Sequence, residues 1–319
     1  MDNKIQGGII GHCVGDALGV PVEFNSRESL RRNPVTDMRG YGTHDQPPGT
    51  WSDDTSMTLC LLDSLANGLN YDDIMKKFLL WFEYAEYTPH GEVFDFGSTT
   101  AGAIGRFTRG VEPLHCGGTS ERDNGNGSLM RILPLAFYFR SQYGSRYTDN
   151  CEVFYIIHNV SSLTHAHKRS LIACGIYLSI AGNLFDASDL KNGICAGIRK
   201  AKDHYEKNND YAGELTYFSR LFEENFSELP LGEIKSSGYV VDTLEAAIWC
   251  LLNTSYYGEC VLKAVNLGND TDTVAAVAGG LAGIYYGADT IPSKWISQMA
   301  RLDYIKSLCE ASFLSKGRF

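Results

Sequence analysis

Small residues recur at every fourth position in two stretches of this 319-residue chain, and that spacing constrains the fold more than any other feature. Near the N-terminus these are Gly7, Gly11, Gly15 and Gly19; near the C-terminus they are Ala275, Gly279, Gly283 and Gly287. On a helix such positions line up as one ridge. Each glycine inside a helix costs about 1 kcal/mol relative to alanine, so a ridge of them makes sense where something approaches very closely. The expectation is that the two helices pack backbone near backbone at the centre of the fold. An ordinary helix crossing is the simpler reading, and it too puts both helices in the core.

The rest of the chain also reads as helix after helix. Following Asp53, the apolar residues Met57, Leu61, Leu62 and Leu65 form one stripe, and Gly68 stops it. Similar patterns predict helices over roughly 72–86, 127–140, 151–163, 168–182, 188–206, 241–253, 258–267 and 271–287. Alternating strand patterns are scarce, and the strand–helix alternation of an α/β fold is missing. The predicted fold class is therefore all-α. Length alone suggests about two domains, but no linker or fixed-period repeat appears. The looser stretches, 36–50 and 116–127, flank the motifs below and read as site loops. A single compact multi-helix domain over 1–319 is the expectation.

Composition excludes several classes. Hydrophobic residues make up 44% and charged residues 21%, the balance of a chain that folds around a core. The net charge is −10, and Arg31-Arg32 and Lys76-Lys77 are isolated basic pairs. Sequence-specific nucleic-acid binding, which needs clustered cations, is not expected. Nine cysteines without a CxxC pair read as reduced, mostly buried thiols of a cytoplasmic protein, and no zinc spacing is present. The N-terminal residues lack an apolar signal core, and the longest apolar run, Val274 to Tyr286, is too short and glycine-rich to span a bilayer, so no membrane partner is expected. No coiled-coil seam or interface patch defines an oligomeric state.

Two predicted helices open on acidic clusters, Ser52-Asp53-Asp54-Thr55 and Asn269-Asp270-Thr271-Asp272-Thr273. Taken singly, each reads as a helix cap. Together they carry more acid than capping uses, and crowded carboxylates raise one another's pKa unless a cation neutralises them. An oxygen-only set of this kind suits Mg²⁺ or Mn²⁺ rather than Zn²⁺, provided that the two helix starts converge. Glu23 lies just beyond the first glycine-ridged helix. Asp95, in Phe94-Asp95-Phe96-Gly97, precedes a further predicted helix and reads equally as its N-cap. Asp16 reads as a polar partner inside its helix. The segment Gly125-Asn126-Gly127-Ser128-Leu129-Met130-Arg131 is a glycine-rich turn into an apolar helix, either a phosphate cradle or a plain loop. His165, in Thr164-His165-Ala166-His167, reads first as a structural histidine.

The ordered set of motifs is more specific than any one of them. Asp16-Ala17-Leu18-Gly19 with Glu23, Trp51-Ser52-Asp53-Asp54-Thr55, Phe94-Asp95-Phe96-Gly97, Asn126-Gly127-Ser128-Leu129-Met130-Arg131, Thr164-His165, Ser237-Gly238-Tyr239 and Asp270-Thr271-Asp272-Thr273 resemble the ADP-ribosylglycohydrolase family from about residue 4 to about residue 290. The resemblance implies a many-helix fold with a central binuclear Mg²⁺ or Mn²⁺ site, held by Ser52, Asp53, Asp54, Asp270, Asp272 and Thr273. It implies hydrolysis of the bond between ADP-ribose and an ADP-ribosylated macromolecule, releasing ADP-ribose. Arginine-type linkage is favoured because arginine-directed relatives carry an acid at the position of Asp95. Glu23 and Asp95 would be the acid/base residues, and Gly125, Asn126, Gly127, Ser128, Leu129, Met130, His165 and Tyr239 would contact the substrate. Many relatives carry threonine where this chain has Ser52, and the hydroxyl is kept. A non-catalytic ADP-ribose-binding protein and a metal-dependent nucleotide phosphohydrolase are the alternatives.

Overall fold

A computed structural model describes residues 2–314, in which fifteen α-helices follow one another. In chain order these are α1 (Asn3–Gly19), α2 (Arg27–Arg32), α3 (Asp53–Ala66), α4 (Tyr71–Tyr84), α5 (Ser98–Thr108), α6 (Pro134–Tyr143), α7 (Cys151–Ser162) and α8 (Lys168–Leu184). They continue as α9 (Leu190–Glu206), α10 (Asn209–Ala212), α11 (Val240–Leu252), α12 (Tyr257–Val265), α13 (Thr271–Tyr286), α14 (Ser293–Gln298) and α15 (Leu302–Leu314). Among the described residues β pairing is confined to isolated bridges such as Gly125 with Tyr239. The class is all-α, as the periodicity predicts.

The glycine ridges meet. A side-chain carbon on Gly7 would strike Gly283, one on Gly11 would strike Gly279, one on Gly15 would strike Ala275, and one on Gly19 would strike Asp272. Helices α1 and α13 therefore run antiparallel with their backbones in contact. Both are buried nearly all round, from Gly7 to Gly19 and from Thr271 to Ile284, as befits the central pair of an all-helical fold. Tyr257 Oη donates to the carbonyl of Gly11 at 2.6 Å, and Thr271 Oγ1 donates to that of Gly19 at 2.8 Å. The antiparallel register has one consequence for chemistry. It brings the C-terminal end of α1, with Asp16 and the following Glu23, to the N-terminal end of α13, with Asp270 and Asp272.

The remaining helices surround this pair in one hydrophobic core, which includes Trp51, Phe78, Phe137, Tyr177 and Trp249. All nine cysteines are unpaired, and seven of them are buried. No helix among the described residues is long and apolar enough to cross a membrane.

One boundary and one terminal helix depart from expectation. The helix predicted over 127–140 begins only at Pro134, and residues 127–131 form a separate turn. Proline has no N–H to place in a helical ladder, which suits it to the first helical position, where that group would be free in any case. Helix α15 carries no pattern singled out in the sequence; it packs on α3, and its Ser312 Oγ donates to the carbonyl of Leu62 at 3.0 Å.

Candidate active site

The acidic clusters converge, and their local structure shows that capping does not consume them. At the start of α3 the free backbone N–H groups are satisfied largely from another helix. Asp16 of α1 accepts from Ser52 N at 3.0 Å and from Thr55 N at 3.0 Å. Ser52 Oγ accepts from Asp54 N at 3.3 Å. At the start of α13, Asp270 occupies the N-cap position and makes no side-chain cap bond.

The carboxylates so released are buried and short of partners. Asp54 Oδ1, Asp270 Oδ1 and both carboxylate oxygens of Asp272 have no hydrogen-bond partner. One oxygen each from Asp16, Asp54 and Asp272 lie within 4.8 Å of one another. The same holds for Glu23, Asp270 and Asp272, and for Glu23 and Asp95 with a ring nitrogen of His44. Thr273 Oγ1 and Ser52 Oγ both donate to Asp54 Oδ2 at 3.1 Å, which fastens the start of α13 to that of α3.

Electrostatics point the same way. Burial, followed by repulsion from Asp95 and Asp270, pushes the carboxyl of Glu23 up to about 10. Burial and neighbouring acids raise Asp53, Asp54 and Asp272 well above the usual carboxylate range. Asp270 is raised chiefly by burial, and Asp16 rises to about 6 for the same reason. Buried unpaired charge is costly, and a divalent cation among these oxygens removes the repulsion and satisfies the orphaned atoms. The donor set is all oxygen, which matches hard cations.

A cleft of about 310 Å³ opens over this acidic floor. Glu23, Asp53, Asp95, Asp270 and Thr273 line it. Gly125, Asn126, Gly127, Met130 and His165 line it too, so the glycine-rich turn stands beside the acids. Asn126 Nδ2 donates to Asp270 Oδ2 at 2.7 Å and to Thr243 Oγ1 at 2.9 Å, tying the turn to α13. Arg131, fully buried, donates to the carbonyl of Gly127 and lies over the ring of Phe78 at 4.9 Å. A Cβ on Gly127 would fall 2.8 Å from Cε1 of His165, so glycine is what allows this histidine to close the cleft wall. The Nδ1 of His165 and Thr164 Oγ1 are 2.8 Å apart, and burial lowers the imidazole pKa to about 3, leaving it neutral.

The family model for ADP-ribosylglycohydrolase matches residues 1–318. The chain belongs to the ADP-ribosylglycohydrolase family. It is 32% identical over 313 residues to the ADP-ribosylarginine hydrolase Tri1 of Serratia proteamaculans, covering 98% of this chain and 79% of that protein. It is 31% identical to the ADP-ribosyl-[dinitrogen reductase] glycohydrolase of Rhodospirillum rubrum, covering 94% and 91%. A solved structure described as an ADP-ribosylglycohydrolase-related protein complex superposes with a TM-score of 0.79 at 29% identity, covering 98% of both chains.

Within this ADP-ribosylglycohydrolase-family chain, some residues singled out in the sequence stand apart from the cleft. Ser128 and Leu129 are fully buried; Ser128 Oγ accepts from Ser161 Oγ at 2.9 Å and lies 3.5 Å from Cys174 Sγ. Their side chains belong to the core. Tyr239 pairs its backbone with Gly125, and its hydroxyl accepts from Arg169 at 3.0 Å; its side chain is not part of the cleft lining. Asp95 is not a cap: Gly97 holds that position at α5, and Asp95 sits at φ 48°, a strained left-handed conformation. The sequence reading did not single out His44. It lies in the loop before α3, with Nε2 2.5 Å from Glu23 Oε2 and its ring 5.0 Å from that of Phe94. A single histidine in a loop carries no pattern that would mark it. Asp16 had a signal, a charged residue inside a glycine-ridged helix, but its role as the cap of α3 needed the packing.

Proposed function

We propose that this chain is a metal-dependent hydrolase that cleaves the glycosidic bond between ADP-ribose and a modified protein, with arginine-type linkage favoured. The observation that carries the reading is the meeting of two acidic helix starts, with carboxylate oxygens left unpartnered, in the floor of a cleft that also holds Glu23 and Asp95. The kinship to hydrolases named for ADP-ribosylarginine and ADP-ribosylated dinitrogen reductase supports the bond and the linkage.

In this reading Ser52, Asp53, Asp54, Asp270, Asp272 and Thr273 hold two Mg²⁺ or Mn²⁺ ions. When bound, such ions supply Lewis acidity and a water of lowered pKa. Asn126 keeps Asp270 oriented through its 2.7 Å bond. Glu23 and Asp95 are the groups that move a proton at the glycosidic bond, a contribution typically worth about 10²–10⁴-fold in rate. Gly125, Gly127 and Met130, backed by neutral His165, form the wall against which ADP-ribose lies, and backbone N–H groups of the glycine turn suit the diphosphate. Ser128 and Leu129 contribute through their backbone and through packing, and Tyr239 by holding Gly125. Unpaired cysteines support a cytoplasmic location.

A release assay tests the proposal. Arginine-ADP-ribosylated protein is incubated with the chain in Mg²⁺, in Mn²⁺ and in EDTA, and the product is identified by mass. The expected result is intact ADP-ribose in the presence of metal and none in EDTA. AMP as the product would replace this reading with a phosphohydrolase, and tight ADP-ribose binding without turnover on any linkage would replace it with a binding protein.

A further inference from the structure

Two phenylalanines of the cleft lining are exposed. Phe24 is 68% exposed and Phe96 45% exposed, and both line the cleft. Phe24 sits at φ 62°, a conformation that costs a bulky residue about 1–2 kcal/mol. Its backbone is pinned to the start of α13: Phe24 N donates to the carbonyl of Asn269 at 2.7 Å, and Asn269 N donates to that of Asn25 at 2.8 Å. Phe96 follows strained Asp95 and meets Phe82 edge-on at 5.0 Å. The structure thus leaves two aromatic rings exposed at the cleft, each next in sequence to a carboxyl of the cleft, Glu23 or Asp95.

The charge of the cleft says what these rings suit. Its lining carries four carboxyl groups, from Glu23, Asp53, Asp95 and Asp270, and one arginine, Arg122. Asp53 and Asp270 belong with the metal-binding floor. Glu23 and Asp95 remain beside the rings in sequence, with His44 as their shared neighbour. Aromatic faces next to carboxyl oxygens suit a flat, delocalised cation, and guanidinium is the side-chain group that stacks on a ring while donating to a carboxyl oxygen. A small neutral acceptor such as a serine hydroxyl would use neither feature.

We infer that Phe24 and Phe96 form the acceptor subsite, gripping the guanidinium of the modified arginine by stacking while Asp95 accepts from it. This rests on the arginine-linked reading proposed above. The rings therefore govern which acceptor is released rather than how ADP-ribose is held.

The test compares wild type with Phe24→Leu, Phe96→Leu, the double variant, and the conservative Phe24→Tyr and Phe96→Tyr. All are assayed in Mg²⁺ on an ADP-ribosylarginine peptide, and the affinity for free ADP-ribose is measured by calorimetry. Each leucine variant is expected to lose about 3–30-fold in kcat/KM, while the tyrosine variants and every ADP-ribose Kd stay within about twofold. Thermal unfolding of the Phe24 variants should match wild type because that ring is exposed, and Phe96→Leu should lower Tm only slightly through the lost contact with Phe82. An equal loss of ADP-ribose affinity would overturn the inference by assigning the rings to the nucleotide. Unchanged kcat/KM in the double variant would overturn it outright. A wild type that releases ADP-ribose from serine but not from arginine would overturn the underlying linkage reading, and that outcome shows before any variant is compared.

Discussion

Gly11→Ala should destabilise this protein even though alanine is the better helix former. In α1 a Cβ at position 11 would lie 2.5 Å from the carbonyl oxygen of Gly279 and 2.9 Å from a ring carbon of Tyr257, whereas ordinary contact begins near 3.4 Å. The main obstacle is backbone of another helix, so no rotamer change relieves it; α1 and α13 must part by several tenths of an ångström. Overpacking of this kind costs typically about 1–3 kcal/mol, and the upper end applies where both sides are main chain. The propensity gain returns about 1 kcal/mol, leaving a net loss of about 2 kcal/mol. For a chain of this length that is a fall in Tm of about 3 °C. The internal control is Gly102→Ala in α5, where the nearest atom to a new Cβ is Arg106 Nη1 at 3.6 Å. There the same substitution should stabilise by about 0.5–1 kcal/mol. Calorimetry and denaturant unfolding of both variants, side by side, read the opposite signs. If Gly11→Ala were as stable as wild type, the claim that the glycine ridge exists for backbone contact would be wrong.

Other perturbations act on the acidic floor. Glu23, Asp53, Asp54 and Asp272 have folded pKa values raised above their unfolded ones, so the metal-free protein binds more protons folded than unfolded. Its stability is then greatest below the ordinary carboxylate pKa and falls as pH rises towards about 10, where Glu23 ionises. A metal-free melting series from pH 6 to pH 9, about the range of common buffers, should show Tm falling, and saturating Mg²⁺ should flatten the slope; a rising metal-free Tm would contradict the burial argument. Asp272→Asn removes a buried carboxyl whose ionisation the fold opposes and whose oxygens both lack a partner. It should raise the metal-free Tm at pH 8, a pH at which carboxylates are ordinarily charged, while abolishing both the Mg²⁺-induced shift and turnover. Glu23→Gln should lower kcat by about 10²–10⁴-fold with ADP-ribose affinity little changed, measured by single-turnover release and calorimetry. Full activity in that variant would remove Glu23 from proton transfer.

Much of the fold was legible because it rests on local periodicity. The stripe Met57, Leu61, Leu62, Leu65 predicted α3, and comparable stripes predicted α4, α7, α8, α9, α11, α12 and α13 with boundaries near those observed. The apolar run after Gly127 misled, because Pro134 rather than the run's first residue decides where α6 begins. Helix α15 was not predicted, although Leu302, Ile305, Leu308 and Cys309 stand at helical spacing; it packs on α3. In the site, the excess of acid at Ser52-Asp53-Asp54 and Asp270-Thr271-Asp272 was visible from residue type alone. The side-chain directions within Gly125 to Met130 were not, so Ser128 and Leu129 went to the core while Gly125, Asn126, Gly127 and Met130 went to the cleft.

By itself the sequence determined the all-α class, the presence of two glycine ridges and the surplus of carboxylates at two helix starts. Each of these is a property of a residue and its near neighbours, which propensity and charge decide without reference to the rest of the chain. Only the tertiary structure decided that the ridges face each other antiparallel, that Asp16 caps α3 from a different helix, and that His44 meets Glu23. Those pairs lie tens to hundreds of residues apart, and no local rule links them. What brings them together is the close approach of α1 and α13: two helices with glycine at the seam can touch along their backbones, and in doing so they deliver the acids of both ends to one place.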